Sequence, residues 1–111
     1  MARLIVISWR DIPAQVLAKR GRQTAKVQLS SRFQEAVDRA AMRAGRGSSD
    51  AYLADWQRRE RACGDEIDDE VRQEVARLEG QYSDADLERL IRARGIDELA
   101  ARSAVEQPGE Q

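Results

Sequence analysis

The chain has 111 residues, 35% of them charged, and a net charge of only −1. It contains no histidine and one cysteine, which removes the commonest general base, a single-chain structural zinc site and any intrachain disulfide. No stretch approaches the ~20 apolar residues of a membrane span, and the apolar run Leu4–Ile7 is shorter than the roughly 7–15 residues of a signal-peptide core, so a soluble cytoplasmic protein is expected.

Charge is divided along the chain. Residues 1–49 carry ten basic and three acidic side chains, about +7, whereas residues 50–111 carry nine basic and seventeen acidic ones, about −8. A basic half points to an anionic partner; an acidic half points to a basic partner or to self-shielding. The length predicts one domain over residues 1–102 with a modest, alanine-rich core. In the tail 103–111, Pro108 and Gly109 sit among Glu and Gln, and a flexible segment is expected.

Residues 3–9 are β-branched and apolar on both faces, which predicts a central strand. Pro13 breaks the run and places its segment at a strand start or edge. Residues 14–20 and 24–30 read as two further strands joined by the short hairpin Gly21-Arg22-Gln23, with Ala25, Val27 and Leu29 on one side and Lys26, Gln28 and Ser30 on the other. A helix follows, capped by Ser30 or Ser31, with Phe33, Val37, Ala40, Ala41 and Ala44 at helical spacing and Gly45 past its end. Arg46-Gly47-Ser48 is a loop. Tyr52, Trp56 and Cys63 predict a second helix from Ser48 or Ser49 to Gly64. The stripe Ile67, Val71, Val75 and Leu78 predicts a third from Asp65 to about Glu79, its acidic first turn matching the helix dipole. Ser83 and Asp86 form a capping-box pattern for a fourth helix that stops near Gly95, and residues 96–101 add a further turn. The expectation is an α+β fold: a three-stranded, mainly antiparallel sheet from residues 2–30, covered on one face by about four helices.

No constellation for catalysis emerges. No phosphate-binding or dinucleotide glycine pattern is present, and the acidic run Asp65–Glu70 lacks the alternation and central glycine of a calcium loop. Cys63 has Arg59 one predicted turn away and Arg61 nearby, an arrangement that lowers a thiol pKa, but it has no histidine partner and falls on the predicted buried face, so it reads as a packed thiol. No enzyme activity, cofactor or metal is expected.

The run from Lys26 to Arg59 has the strand–helix–loop–helix order of a dimeric ribbon–helix–helix DNA-binding unit, in which Lys26, Gln28 and Ser30 would read bases. The acidic Asp50 at the second helix start is the wrong charge for a phosphate, and the upstream hairpin already occupies one edge of that strand.

The strings Ser8-Trp9-Arg10-Asp11-Ile12-Pro13-Ala14-Gln15-Val16, Ala25-Lys26-Val27-Gln28-Leu29-Ser30 and Arg32–Gly45, with Ser49-Asp50-Ala51-Tyr52-Leu53 and Trp56, resemble the bacterial "virulence factor" domain family over about residues 1–60. The resemblance carries no catalytic residues with it, and the family name describes a phenotype, not toxicity. The resemblance implies a gene neighbourhood: stand-alone members often occur beside genes of folate- and corrinoid-linked one-carbon metabolism, an association that says nothing about mechanism. The resemblance thus implies a small accessory protein with an enzyme of that metabolism as a possible protein partner. Within the match, Trp9, Arg10 and Asp11 form either an exposed docking corner or a packed one, with Trp9 under the helices and Arg10 paired to Asp11 or a helix acid. The expected function is non-enzymatic: binding of a protein partner through Trp9, Arg10, Asp11, Arg20, Arg22, Lys26 and Gln28. A DNA-binding regulator is the alternative, and no membrane contact is expected.

Overall fold

A computed structural model describes residues 1–45 and 49–97, and the descriptions below concern these residues. Strand β1 (Ala2–Trp9) lies inside a four-stranded sheet of order β3-β2-β1-β4, with β2 at Ile12–Arg20, β3 at Gln23–Gln28 and β4 at Trp56–Cys63. Every pairing is antiparallel. The helices are α1 (Ser31–Arg43), α2 (Ser49–Ala54), α3 (Ile67–Gln81) and α4 (Asp84–Arg92). The predicted loop 46–48, the turn beyond Asp97 and the tail 103–111 lie outside the described residues; Ile96 and Asp97 are not helical.

The sheet has four strands where three were expected, because the predicted second helix ends at Ala54 and the chain re-enters the sheet as β4. A strand that is apolar on both faces needs partners on both edges, since a buried unpaired N–H or C=O costs as much as a lost hydrogen bond. β2 covers one edge of β1; β4 covers the other, in register from Ala2 opposite Cys63 to Trp9 opposite Trp56. Local sequence does not make β4 a strand. Arg58, Arg59, Glu60 and Arg61 bury nothing, and the strand is exposed along most of its length.

Pro13 lies opposite Ser8, where the register slips so that Ala14 is the extra residue of a bulge. The Ala14 carbonyl accepts from the Leu29 N–H at 2.9 Å, which ties the chain leaving β3 back to β2. Helix α3 crosses β1, β2 and β3, and α1 packs on α4 and on β2. One buried cluster joins Leu4, Val16, Ala18 and Ala25 of the sheet to Phe33, Val37, Val71, Leu78 and Leu90 of the helices. Leu29 belongs to it, just past the end of β3. Val27 does not, although it shares the side of Ala25: it pairs with Val16, but on the sheet edge it remains 39% exposed.

Side chains fasten the helices. Ser30 is the N-cap of α1, yet its hydroxyl does not cap its own helix. It donates to Glu79 Oε1 of α3 at 2.9 Å, and its N–H donates to Oε2 at 2.7 Å. The capping box of α4 forms as predicted, with the Asp86 N–H donating to Ser83 Oγ and the Ser83 N–H to Asp86 Oδ2. Burial alone would raise the Glu79 pKa, but the hydrogen bonds from Ser30 and Arg32 outweigh it and hold the carboxyl below its ordinary 4.5. Glu74 is likewise held below 4.5, chiefly by hydrogen bonds from Arg77 acting against its burial.

Two outcomes follow from this packing. Leu29→Ala is expected to cost roughly 2–5 kcal/mol in denaturant unfolding, whereas Val27→Ala changes stability by about 0.5 kcal/mol or less; equal losses would refute the edge placement of Val27. Glu74 and Glu79 bind protons less tightly folded than unfolded, so their contribution is complete above the unfolded pKa and is lost as pH falls through the lower folded values. Thermal melts should therefore stay level near neutrality and drop below about pH 4.5, and Glu74→Gln should shrink that drop. A melting temperature constant down to about pH 3 would contradict it.

Candidate functional site

The seven residues expected to meet a partner are spread along the sheet: Trp9, Arg10 and Asp11 at the β1–β2 turn, Arg20 and Arg22 at the β2–β3 turn, and Lys26 and Gln28 between them, opposite Leu17 and Gln15. At one end Trp9 and Ile12 pair directly, and Arg10-Asp11 forms the turn between them. Arg10 has φ +52°, a left-handed conformation uncommon outside glycine. Its surroundings hold it there. The Arg10 N–H donates to the Asp55 carbonyl at 3.0 Å, Nη1 to the Arg94 carbonyl at 2.9 Å and Nη2 to Asp55 Oδ2 at 3.3 Å, while the guanidinium lies 5.0 Å from the Trp9 ring centre. The Asp11 N–H donates to the Gly95 carbonyl at 2.8 Å, and Asp11 Oδ2 accepts from the Asp97 N–H at 2.7 Å.

Trp9 is fully buried. Its Nε1–H donates to the Tyr52 carbonyl at 3.0 Å, its ring stacks on Tyr52, and Tyr52 in turn meets Trp56 edge-on. Trp9 presents no surface to a partner, and Arg10 pairs with Asp55, not with Asp11 or a helix acid. This corner joins the first hairpin, the α2–β4 junction and the end of α4. Gly95 permits the closure: its φ is +85°, and a Cβ there would stand 2.9 Å from Trp9 Cζ3.

The other four lie on the β2–β3 ribbon, with Gln28 at its far end from the turn. Side chains directly opposite one another in a sheet share a face. Three rows stand on the face opposite the helix-covered Leu4, Val16 and Ala18. They are Thr24, Lys19, Arg3 and Ala62; Lys26, Leu17, Ile5 and Glu60; and Gln28, Gln15, Ile7 and Arg58. Ile5 and Leu17 are buried yet lie outside the cluster shared with the helices. Arg3, Lys19, Thr24, Lys26, Gln28, Arg58, Glu60 and Ala62 are all exposed. The exposed surface of this face is thus mostly cationic and polar, with Ile5 and Leu17 buried beneath it and Ile7 half-buried. Glu60 is its acid, bound by Arg3 Nε at 2.9 Å and Arg58 Nε at 2.8 Å, which lower its pKa.

Lys26 and Gln28 lie on this face, and Arg22 occupies the tight turn after Gly21, whose φ is +59°. Arg20 projects from the other side of β2, with its Nε 3.9 Å from Asp65. Sequence reasoning missed Arg3, Lys19 and Arg58. Period-2 alternation carried the first two, as Arg3-Ile5-Ile7 and Leu17-Lys19; Arg58 was hidden by the helical reading of its segment. Among the described residues, Lys19, Arg22 and Lys26 have no ion pair, while Arg32, Arg39, Arg61, Arg77 and Arg89 each meet a carboxylate.

Cys63 closes β4 and is half-buried, which corrects its placement at a helix end. Burial and then Glu70 raise its pKa while Arg61 opposes them, so the neutral thiol is favoured. Among the described residues no group of three His, Cys, Asp or Glu side chains is placed to hold a metal, and no helix is long and apolar enough to cross a membrane.

These features define a small α+β domain built on a four-stranded antiparallel sheet, with helices on one face and a cationic open surface on the other. A family model described as "Virulence factor" matches residues 7–91, and the chain belongs to this family. The match runs from the end of β1 through most of α4, so it takes in β4 and α3 as well as the N-terminal segment. No curated protein and no solved structure matched the chain.

The Trp9 corner predicts a specific sensitivity. Gly95→Ala must adopt a strained φ and displace Trp9, so it should cost roughly 1–3 kcal/mol. That would lower the melting temperature by several degrees and alter the near-ultraviolet circular dichroism of the tryptophans. A variant that melts like the parent would show that the corner tolerates opening.

Proposed function

We propose that the protein acts without catalysis, as an accessory protein that holds an acidic protein partner against its open sheet face. The observation behind this reading is the group of unpaired, exposed cations Lys19, Arg22 and Lys26, with the half-buried Ile7 on the same face. Unneutralised cations on one face accelerate encounter with an acidic surface. Through its family, an enzyme of folate- or corrinoid-linked one-carbon metabolism is the first partner to try. A DNA-binding regulator is the second reading. In its favour, Lys26 and Gln28 project from β3, whose outer edge is free in the sheet order; against it, α2 has only six residues.

The test combines Lys19→Ala, Arg22→Ala and Lys26→Ala. A partner captured from nuclease-treated lysate is identified, purified and titrated against both chains. The triple variant should bind it about tenfold or more weakly, with a flatter salt dependence. Duplex DNA should bind no tighter than about micromolar at physiological salt. Equal partner affinity for the variant would overturn the assignment of the face. Sub-micromolar binding of one DNA sequence by a dimer would favour the second reading.

A further inference from the structure

A separate concavity of about 250 Å³ lies between α3 and β4. It exists because α3 crosses β1, β2 and β3 and leaves the same side of β4 without a roof. Leu4, Val6 and Pro13 from the sheet and Leu78 from α3 form an apolar floor. Above it stand three guanidinium groups, Arg59 and Arg61 from alternate positions of β4 and Arg77 from α3.

The three are not equivalent. Glu74, only 6% exposed, accepts from Arg77 Nε at 3.1 Å and Nη2 at 2.5 Å, and Arg77 Nη1 donates to Gln81 at 2.8 Å. Arg77 therefore commits Nε, Nη1 and Nη2 each to a partner and neutralises the buried acid. Arg61 reaches Glu74 through Nη2 at 3.4 Å and the Ala62 carbonyl through Nη1 at 3.3 Å, which leaves Nε open. Arg59 has only a 3.6 Å ion pair with Asp11, and its side chain is 68% exposed. Two cations with free donors thus overhang an apolar floor. The opposing acid within reach is already paired, and Glu60 is held by Arg3 and Arg58.

We propose that this groove binds a small amphipathic organic acid. Its aliphatic or aromatic body lies on Leu4, Val6, Pro13 and Leu78, and its carboxylate or sulfonate takes charge-assisted hydrogen bonds from Arg59 and Arg61. An inorganic anion would have no use for the floor, and a neutral apolar molecule would have none for the arginines. The volume sits just below the ~300–1,000 Å³ of ordinary small-molecule pockets, which limits the body to a short chain or a small ring system. The competing account is that Arg59 and Arg61 only guard an edge strand against pairing with another chain, as charged edge residues do; it predicts no ligand.

The probe is anilinonaphthalene sulfonate, an aromatic sulfonate that fluoresces when its ring leaves water. Saturable binding at one site is expected on the native chain, with unchanged near-ultraviolet circular dichroism. Octanoate should displace the probe, and octanol at the same concentration should not. Arg59→Gln combined with Arg61→Gln should weaken binding about tenfold or more, the loss expected when charged hydrogen bonds are removed, whereas Arg92→Gln on α4, outside the groove, should leave it unchanged. Non-saturable fluorescence, equal displacement by octanol, or a folded double variant that binds like the parent would each overturn the proposal. The octanoate and octanol comparison uses the parent chain, so it decides the matter even if the double variant does not fold.

Discussion

The structure depends on the pairing of β1 along both edges. Leu4-Ile5-Val6-Ile7 places apolar side chains on both sides of one strand, and such a strand is stable only at the centre of a sheet. β2 is supplied by the next turn of chain. β4 comes from beyond α1 and α2, and it brings a row of charged side chains because the backbone alone is needed there. This arrangement puts the two polar strands, β3 and β4, at the outside of the sheet. One side of the sheet is closed by α3 and the other is left as a surface. The groove beside α3 and the open cationic face both follow from where β4 had to go.

The hairpin at Gly21, the alternation in β3, the stripe of α1, the capping box of α4 and the stop at Gly95 were legible because each is a local pattern with a local cause. β4 was not legible. Tyr52, Trp56 and Cys63 fit a helical spacing, and no strand alternation of apolar residues contradicts it. The deciding interaction is a backbone ladder to residues 47 to 61 positions earlier, which leaves no mark on the side chains. The clue lay in β1: a strand called central in a sheet of order β3-β2-β1 has one unpaired edge. Val27 illustrates the converse. Its facing is correct in the register, but burial depends on what lies overhead, and periodicity carries no information about that. At the site, alternation led to Lys26 and Gln28, whereas the corner of Trp9, Arg10 and Asp11 could be resolved only by knowing that Asp55, Gly95 and Asp97 converge on it.

The division of charge between the two halves also acquires a structural meaning. Arg20 meets Asp65, Arg32 meets Glu79 and Asp84, and Arg39 meets Glu88. The acidic helices are the counter-charge of the basic N-terminal half, laid across it by the fold. Exposed pairs of this kind contribute only about 0–1 kcal/mol each, so their main effect is on the surface potential. They erase the positive field over α1 and its neighbours and leave it standing at the β2–β3 hairpin.

The Trp9 corner has a bearing on how the chain acquires its fold. Trp9 is synthesised well before Asp97, which completes the hydrogen bonds to Asp11 and follows it by more than eighty positions. The first hairpin can form early, but its apolar seam and its open edge persist until β4, α3 and α4 have emerged. Contacts so distant in sequence make folding slow relative to a bundle of local helices, and an exposed edge during that interval invites association with other chains. The charges of Arg58–Arg61 cannot protect β1 before they arrive. A domain built in this order is most vulnerable during synthesis and becomes secure only when the end of α4 closes over the β1–β2 turn.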